Sequence, residues 1–299
     1  MLELNENEDE ILYGVLFSVL STPLIPFYLL VIKAVYLTNK QRPNMTYKMI
    51  NLIHFMQFGQ SFGHFCTGPI LVFPELQTIL YYPFLVVGPA MSMLYNAELP
   101  TMALLAVSRI LIFCNFIKSN TVPLFVKITL SFVLVYLLFV FFYALSTGFL
   151  IFVPPAWKYS MRVPFASFLE NAYLIIAFVC LGTAYISYAT ITYLIYMRKK
   201  DSTSARSRKE EVAIMIQYTI IVFFITIALT FWHKASIWFD ISSPSFRAAL
   251  NITWILEAYL NPVLILIFNK SVREEFRKLL VIRKEGKASP IVSITGYTK

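Results

Sequence analysis

The chain has 299 residues, 58% of them apolar and 14% charged, with a formal net charge of +9 and a mean hydropathy of +0.69. A soluble domain of this length has too little interior to bury so much apolar surface, which excludes a water-soluble globule and makes the bilayer the solvent. The 27 Phe and 18 Tyr against 9 Gly exclude the alternating pattern of an outer-membrane barrel, and basic residues confined to short connections and the tail are a topology signal rather than a nucleic-acid footprint.

Residues 1–10 carry five acids (Glu3, Glu6, Glu8, Asp9 and Glu10) and no base. No cleavable leader is expected there, so the first span itself directs insertion. Apolar stretches long enough to cross ~30 Å of hydrocarbon at ~1.5 Å per residue then recur at 11–37, 46–73, 81–117, 121–153, 165–198, 208–239 and 246–268. After the last of them, residues 270–282 place Val272, Phe276, Leu279 and Leu280 on one helical face with Arg273, Arg277 and Lys278 around the other, the pattern of a short helix lying on the inner leaflet. Residues 283–299, rich in Ser, Lys and Gly, read as a disordered tail. The expected fold is therefore an all-α membrane protein: one seven-helix transmembrane bundle over 11–269, followed by an amphipathic helix.

Orientation follows from the basic residues. The first, third and fifth connections and the tail hold 21 Lys and Arg, whereas the opposite side holds only Lys158, Arg162, Lys234 and Arg247. The asymmetry puts the tail in the cytosol and the acidic amino terminus outside. Cys66, Cys114 and Cys180 lie in or beside apolar runs and read as packing residues. Asn-x-Ser/Thr sequences begin at Asn44, Asn251 and Asn269, the first and last on the cytosolic side and the second at the edge of a span, so none is a good glycosylation acceptor.

Helical geometry predicts a polar layer at mid-membrane. Glu98 lies eleven residues before Arg109, ~16 Å deeper and on nearly the same face. Glu257 lies eleven residues before Phe268, and Gln57 is as far into the second span, so all three reach one depth. A carboxylate at the centre of a span costs roughly 2.5–3.5 kcal/mol on insertion scales, so Glu98 and Glu257 should face the interior and share partners. They are either neutral hydrogen-bonded packing groups or a cation or proton site. His54, Gln57, Ser61 and His64 continue the layer as a helical stripe. Toward the outside, Met91 and Tyr95 share the face of Glu98 and Trp254 that of Glu257, while Trp232 and His233 close the space from the sixth span. These five are the ligand-contact candidates, since bundles place small-molecule cavities between helices.

A zinc hydrolase built on His54, His64 and His233 fails on distance. His54 and His64 stand ~15 Å apart along one helix, against ligand bonds of ~2.0–2.1 Å. No enzyme activity, metal or cofactor is expected. A small proton- or cation-coupled transporter or channel is the competing class, but neither an inverted repeat nor paired Gly/Pro-broken spans are apparent.

The third span ends Leu104-Leu-Ala-Val-Ser-Arg-Ile110 and the seventh Asn261-Pro-Val-Leu-Ile-Leu-Ile-Phe268. Both resemble landmarks of rhodopsin-like G-protein-coupled receptors, the acid-Arg-aromatic triplet and the Asn-Pro-x-x-Tyr motif, in the right spans and on the right side. Ser108, Ile110 and Ile265 depart from those motifs, and the usual outer disulfide has no cysteines to form it. With Thr46-Tyr-Lys-Met-Ile50 opening the second span and Asn269-Lys-Ser-Val-Arg273 after the seventh, the chain looks most like nematode serpentine chemoreceptors of class T or class X type. The resemblance implies a plasma-membrane chemosensory receptor, of the kind found in sensory cilia. Its ligand would be a small molecule or peptide, its partners a heterotrimeric G protein and membrane lipid, and not nucleic acid. It further implies switch roles for Arg109, Asn261 and Pro262, with Glu210 or Glu211 as the resting partner of Arg109. In rhodopsin-like receptors the second, third and seventh helices form a polar pocket at this level that often binds sodium, with an Asp where this chain has Gln57.

Overall fold

In the computed structural model, which describes residues 3–197, 205–234 and 243–285, the chain forms ten helices and one two-stranded hairpin. The helices are α1 (Glu8–Ser21), α2 (Leu24–Gln41), α3 (Met45–Val72), α4 (Glu75–Ile79), α5 (Tyr81–Phe113), α6 (Leu124–Thr147), α7 (Ala166–Met197), α8 (Ala205–Lys234), α9 (Pro244–Phe268) and α10 (Lys270–Glu285). Strands β1 (Leu150–Val153) and β2 (Ala156–Tyr159) pair antiparallel between α6 and α7.

Among the described residues, six rods are long and apolar enough to cross a membrane: α1 with α2 as Glu8–Gln41, then α5, α6, α7, α8 from Val212, and α9. The remaining long helix, α3, has 28 residues but buries His54, Gln57, Gln60, Ser61, His64 and Thr67. That polar load dilutes its apolarity without shortening it.

Local chemistry sets the ends. Asn7 caps α1 by accepting from the amides of Asp9 and Glu10, and Glu8, Asp9 and Glu10 place negative charge on the first turn. The expected first span, 11–37, is divided into α1 and α2 at Thr22 and Pro23, because Pro23 has no N–H to continue the helical ladder. Asn44 and Asn269, both within Asn-x-Ser/Thr sequences, serve as caps: their side chains accept from the amides of Thr46 and Val272. The fourth expected span, 121–153, is too long. Gly148 ends α6 in the left-handed region (φ 69°), and the apolar run beyond it forms β1. An apolar run alone does not distinguish helix from strand. Likewise the third span stops at Phe113 rather than 117, and the expected end of the sixth, 235–239, lies outside the described residues.

α5 is the central rod and packs against α3, α6 and α7, while α9 closes against α8, α3, α1 and α2. α1 meets α3 at very short range: a Cβ on Gly68 would stand 2.2 Å from Ser18 Oγ and 2.8 Å from the Gly14 carbonyl oxygen. Small residues allow this approach, which matters where lipid offers no hydrophobic drive for association. One core cluster fills the end that carries Arg109, with Ile50, Leu105, Tyr188, Tyr218 and Ile265, and a second fills the hairpin end, with Phe17, Phe84, Trp157 and Ile255. The hairpin is anchored by Trp157, which stacks on Phe84 at 5.6 Å and lies over Gly88, where a Cβ would come within 2.3 Å of its ring.

α10 runs back along α2. Val272 is fully buried, Phe276 meets Phe27 edge-on at 6.1 Å, and Gln41 Nε2 donates to Glu275 Oε1 at 3.1 Å. Arg273 Nη1 donates to the carbonyls of Leu266 (2.9 Å) and Ile267 (2.6 Å), closing the carboxyl end of α9. Leu280, grouped with the apolar face by its spacing, is exposed. Residues 286–299, most of the expected tail, lie outside the described residues.

Candidate functional site

At the hairpin end, α5, α7, α8, α9 and the hairpin surround a cavity of about 40 Å³. Of the five ligand-contact candidates, Tyr95, Trp232, His233 and Trp254 line it. Trp254 is the hub, with ring centroids 5.2 Å from Tyr95 and 5.8 Å from Trp232. Met91 does not reach the cavity. It is 1% exposed and fills the notch over Gly63, where its sulfur would stand 2.1 Å from an added Cβ. Met91 does share the face of Glu98, but that face is turned to α3 and not to the cavity: Met91 packs over Gly63 and Glu98 accepts from Gln57 and Gln60.

Sequence reasoning missed Ser92, Tyr159, Tyr173 and Thr253, which also line the cavity. Tyr159 was hidden because its segment folds back as a strand. Tyr173 belongs to a buried row at helical spacing, Leu169, Tyr173, Ala177, Leu181 and Ala184, yet α7 is apolar on all sides and the inward face has no polar contrast to mark it. His233 Nδ1 lies 3.4 Å from Glu170 Oε1, and its ring centroid is 6.0 Å from that of Tyr173.

Below the cavity lies the polar layer. Gln57 and Gln60, one turn apart on α3, donate from their amide nitrogens to the two oxygens of Glu98 on α5, Gln60 at 3.0 Å. The single Tyr28 hydroxyl proton on α2 is shared between Gln57 Oε1, at 3.0 Å, and the Ala258 carbonyl of α9, at 2.5 Å. The Trp254 indole N–H donates to Gln60 Oε1 at 2.8 Å. Trp254 therefore belongs to both the cavity wall and the layer. Tyr28, Gln57, Gln60 and Glu98 are all buried, and each amide uses both its donor and its acceptor. Such satisfaction is what a low-dielectric interior requires.

Glu257 is 4% exposed and within electrostatic range of Glu98, as the shared depth predicts, but it stays outside the hydrogen-bonded group and faces the cavity instead. His54 and His64 flank the layer as packed rings, 6.0 Å from Tyr28 and 4.7 Å from Trp254. Among the described residues no group of three His, Cys, Asp or Glu is arranged to hold a metal ion.

At the opposite end, Arg109 is 4% exposed and donates from Nη1 to Thr46 Oγ1 at 3.0 Å. It is a buried side chain rather than one reaching along the surface. A second cavity, of about 290 Å³, lies beside it and is lined by Arg42, Asn44, Thr46, Ser119 and Ile214. Gln217 of α8 donates to Asn261 Oδ1 of α9 at 3.1 Å, next to the buried Pro262. The side chains of Glu210 and Glu211 lie outside the described residues. Thr46 was visible in the sequence only as a landmark, because its pairing with Arg109 joins residues 63 positions apart.

A family model described as serpentine type 7TM GPCR chemoreceptor Srv matches residues 98–282, from the Glu98 carboxyl of the polar layer through most of α10. The match bears out the resemblance to serpentine chemoreceptors, and the family it names is Srv rather than the class T or class X type. No curated protein matches the chain.

Proposed function

We propose that this chain, which belongs to the Srv family of serpentine seven-transmembrane chemoreceptors, is a chemosensory G-protein-coupled receptor in which α3 makes the seventh crossing. The amino terminus is outside and α10 rests on the inner leaflet. The hairpin-end cavity takes the ligand and the Arg109 end meets a heterotrimeric G protein. The observation that carries this reading is the double membership of Trp254. A ligand that moves its ring also moves the hydrogen bond to Gln60, and through Gln60 and Glu98 it acts on Gln57 and Tyr28, which tie α3 to α2 and α9.

The mechanism is a ligand-biased equilibrium between two packings of the bundle, and a ligand shifts it only by its difference in affinity for the two. Glu98, held by two amides, favours the resting packing. Arg109 with Thr46, and Gln217 with Asn261 beside Pro262, are the contacts that rearrange at the inner end. Basic residues of the fifth connection and α10 meet anionic lipid. Neither the family match nor the geometry favours the transporter alternative.

Two measurements test the reading. An epitope at residue 1 should be reached by antibody on intact cells, and one at residue 299 only after permeabilisation; the reverse labelling overturns the orientation. Membranes holding the protein should accelerate guanine-nucleotide exchange on added heterotrimeric G protein, and Arg109→Ala should reduce that basal exchange by about tenfold, within the usual size of such couplings, at equal surface expression. No acceleration with any G-protein class would remove the receptor reading.

A further inference from the structure

The two mid-membrane carboxylates are employed differently. Both oxygens of Glu98 accept from Gln57 and Gln60. Glu257 is as deeply buried, yet among the described residues no donor stands within hydrogen-bonding distance of it, and it forms part of the cavity wall. A carboxylate with no donor in so dry a place carries an uncompensated desolvation cost. A proton on the carboxyl removes this cost, and so does a cationic donor, which has to enter through the cavity.

We propose that the cavity binds a small organic cation, an ammonium carried on an aromatic or apolar body, with Glu257 as its counter-ion. This rests on reading the cavity as the receptor's ligand site, and it assigns the ligand class. The walls are Tyr95, Tyr159, Tyr173, Trp232 and Trp254, whose ring faces attract a cation through their quadrupoles. An ammonium also brings the N–H donors that Glu257 lacks, and charge-assisted hydrogen bonds are the strong ones.

The alternatives are each opposed by a named group. An anionic ligand would meet Glu257 with Glu98 behind it. A neutral ligand would fill the aromatic walls but leave the carboxylate as it was. His233 is the one basic side chain among the lining residues, and it is turned toward Glu170, 3.4 Å from its Nδ1.

The test uses the purified full-length chain in detergent and three probes of one shape: phenethylamine, phenethyl alcohol and 3-phenylpropionate at neutral pH, read by thermal unfolding. Phenethylamine should raise the unfolding temperature at a concentration about tenfold below that needed for the alcohol, and the carboxylate probe should have no effect. Glu257→Gln should abolish the preference for amine over alcohol while keeping the alcohol response, which also shows that the variant is folded. Glu170→Gln should leave the preference intact. The assignment is overturned by equal or stronger action of the alcohol, by a preference that survives Glu257→Gln or disappears with Glu170→Gln, or by no response to any probe at millimolar concentration. Nucleotide exchange needs no ligand, so failure of the cation assignment is distinguishable from failure of the receptor reading.

Discussion

α3 and α6 are rods of similar length in one bundle and are built in opposite senses. α6 is among the most apolar segments of the chain, yet it buries only Val126, Leu137, Val140 and Ala144, and Phe132, Leu134, Val135, Phe139 and Phe142 face outward. Among the described residues, α3 is the long rod not apolar enough to qualify as a crossing by composition, and it buries sixteen residues, among them two histidines and two glutamines. In water the apolar side of a helix marks the interior. In lipid that mark is lost, because hydrocarbon is as good a solvent for Phe as the protein core. What draws α3 inward is close backbone approach and hydrogen bonding, here Gly68 against α1 and the Gln57 and Gln60 bonds to Glu98.

The contrast is open to attack from both sides. The largest effect is expected on α6, where Val135→Arg puts a charge at mid-helix on the lipid face; insertion of this span should become less favourable by about 3 kcal/mol, measurable as the inserted fraction in a translocation assay. If Val135→Arg inserts as well as the parent, α6 does not face lipid.

On α3 the same logic predicts two opposite signs from one change. Gln57→Leu makes the helix more apolar and should improve its insertion, while removing a donor from Glu98 and an acceptor from Tyr28. The folded bundle should lose about 1–2 kcal/mol, seen as a lower unfolding temperature in detergent. A variant both better inserted and more stable would show that the polar layer is incidental.

The smallest effect is expected at the water edge, where Glu275 of α10 meets Gln41 of α2 in a half-buried polar contact. Lys278, at 2.6 Å, and then Gln41 hold the Glu275 carboxyl below its ordinary range. Its contribution is therefore complete above the unfolded-chain value and is lost as pH falls through the depressed folded value. Hydrogen exchange of α10 amides should be flat between pH 6 and 8 and rise only in acid, and Glu275→Gln should flatten the acid limb. A change near neutral pH would mean that another group holds α10.

The polar layer shows where reading a sequence succeeds and where it stops. Gln57, Glu98 and Glu257 were placed at one depth by rise and rotation alone, and desolvation cost turned them inward. Gln60 was within reach of the same argument, being three residues from Gln57. Tyr28 was not, because it is one of several aromatics in an apolar run and only the position of α2 beside α3 gives it Gln57 as an acceptor. Met91 erred for the complementary reason: it shares a helical face with Glu98, but the notch above Gly63 that receives it belongs to another helix.

The amino acids by themselves determined that this is a multi-pass membrane protein of apolar helices and that Glu98 and Glu257 come within range of each other, because composition, apolar length and the 3.6-residue period act within a segment. The tertiary structure alone decided that the run after Gly148 folds back as a strand to bring Tyr159 over the cavity, that Trp254 joins the cavity to Gln60, and that Glu98 is satisfied while Glu257 is not. Each of these depends on which helices are neighbours, and in lipid the choice of neighbour rests on small-residue contacts and hydrogen bonds between distant residues, which leave no periodic trace in either partner.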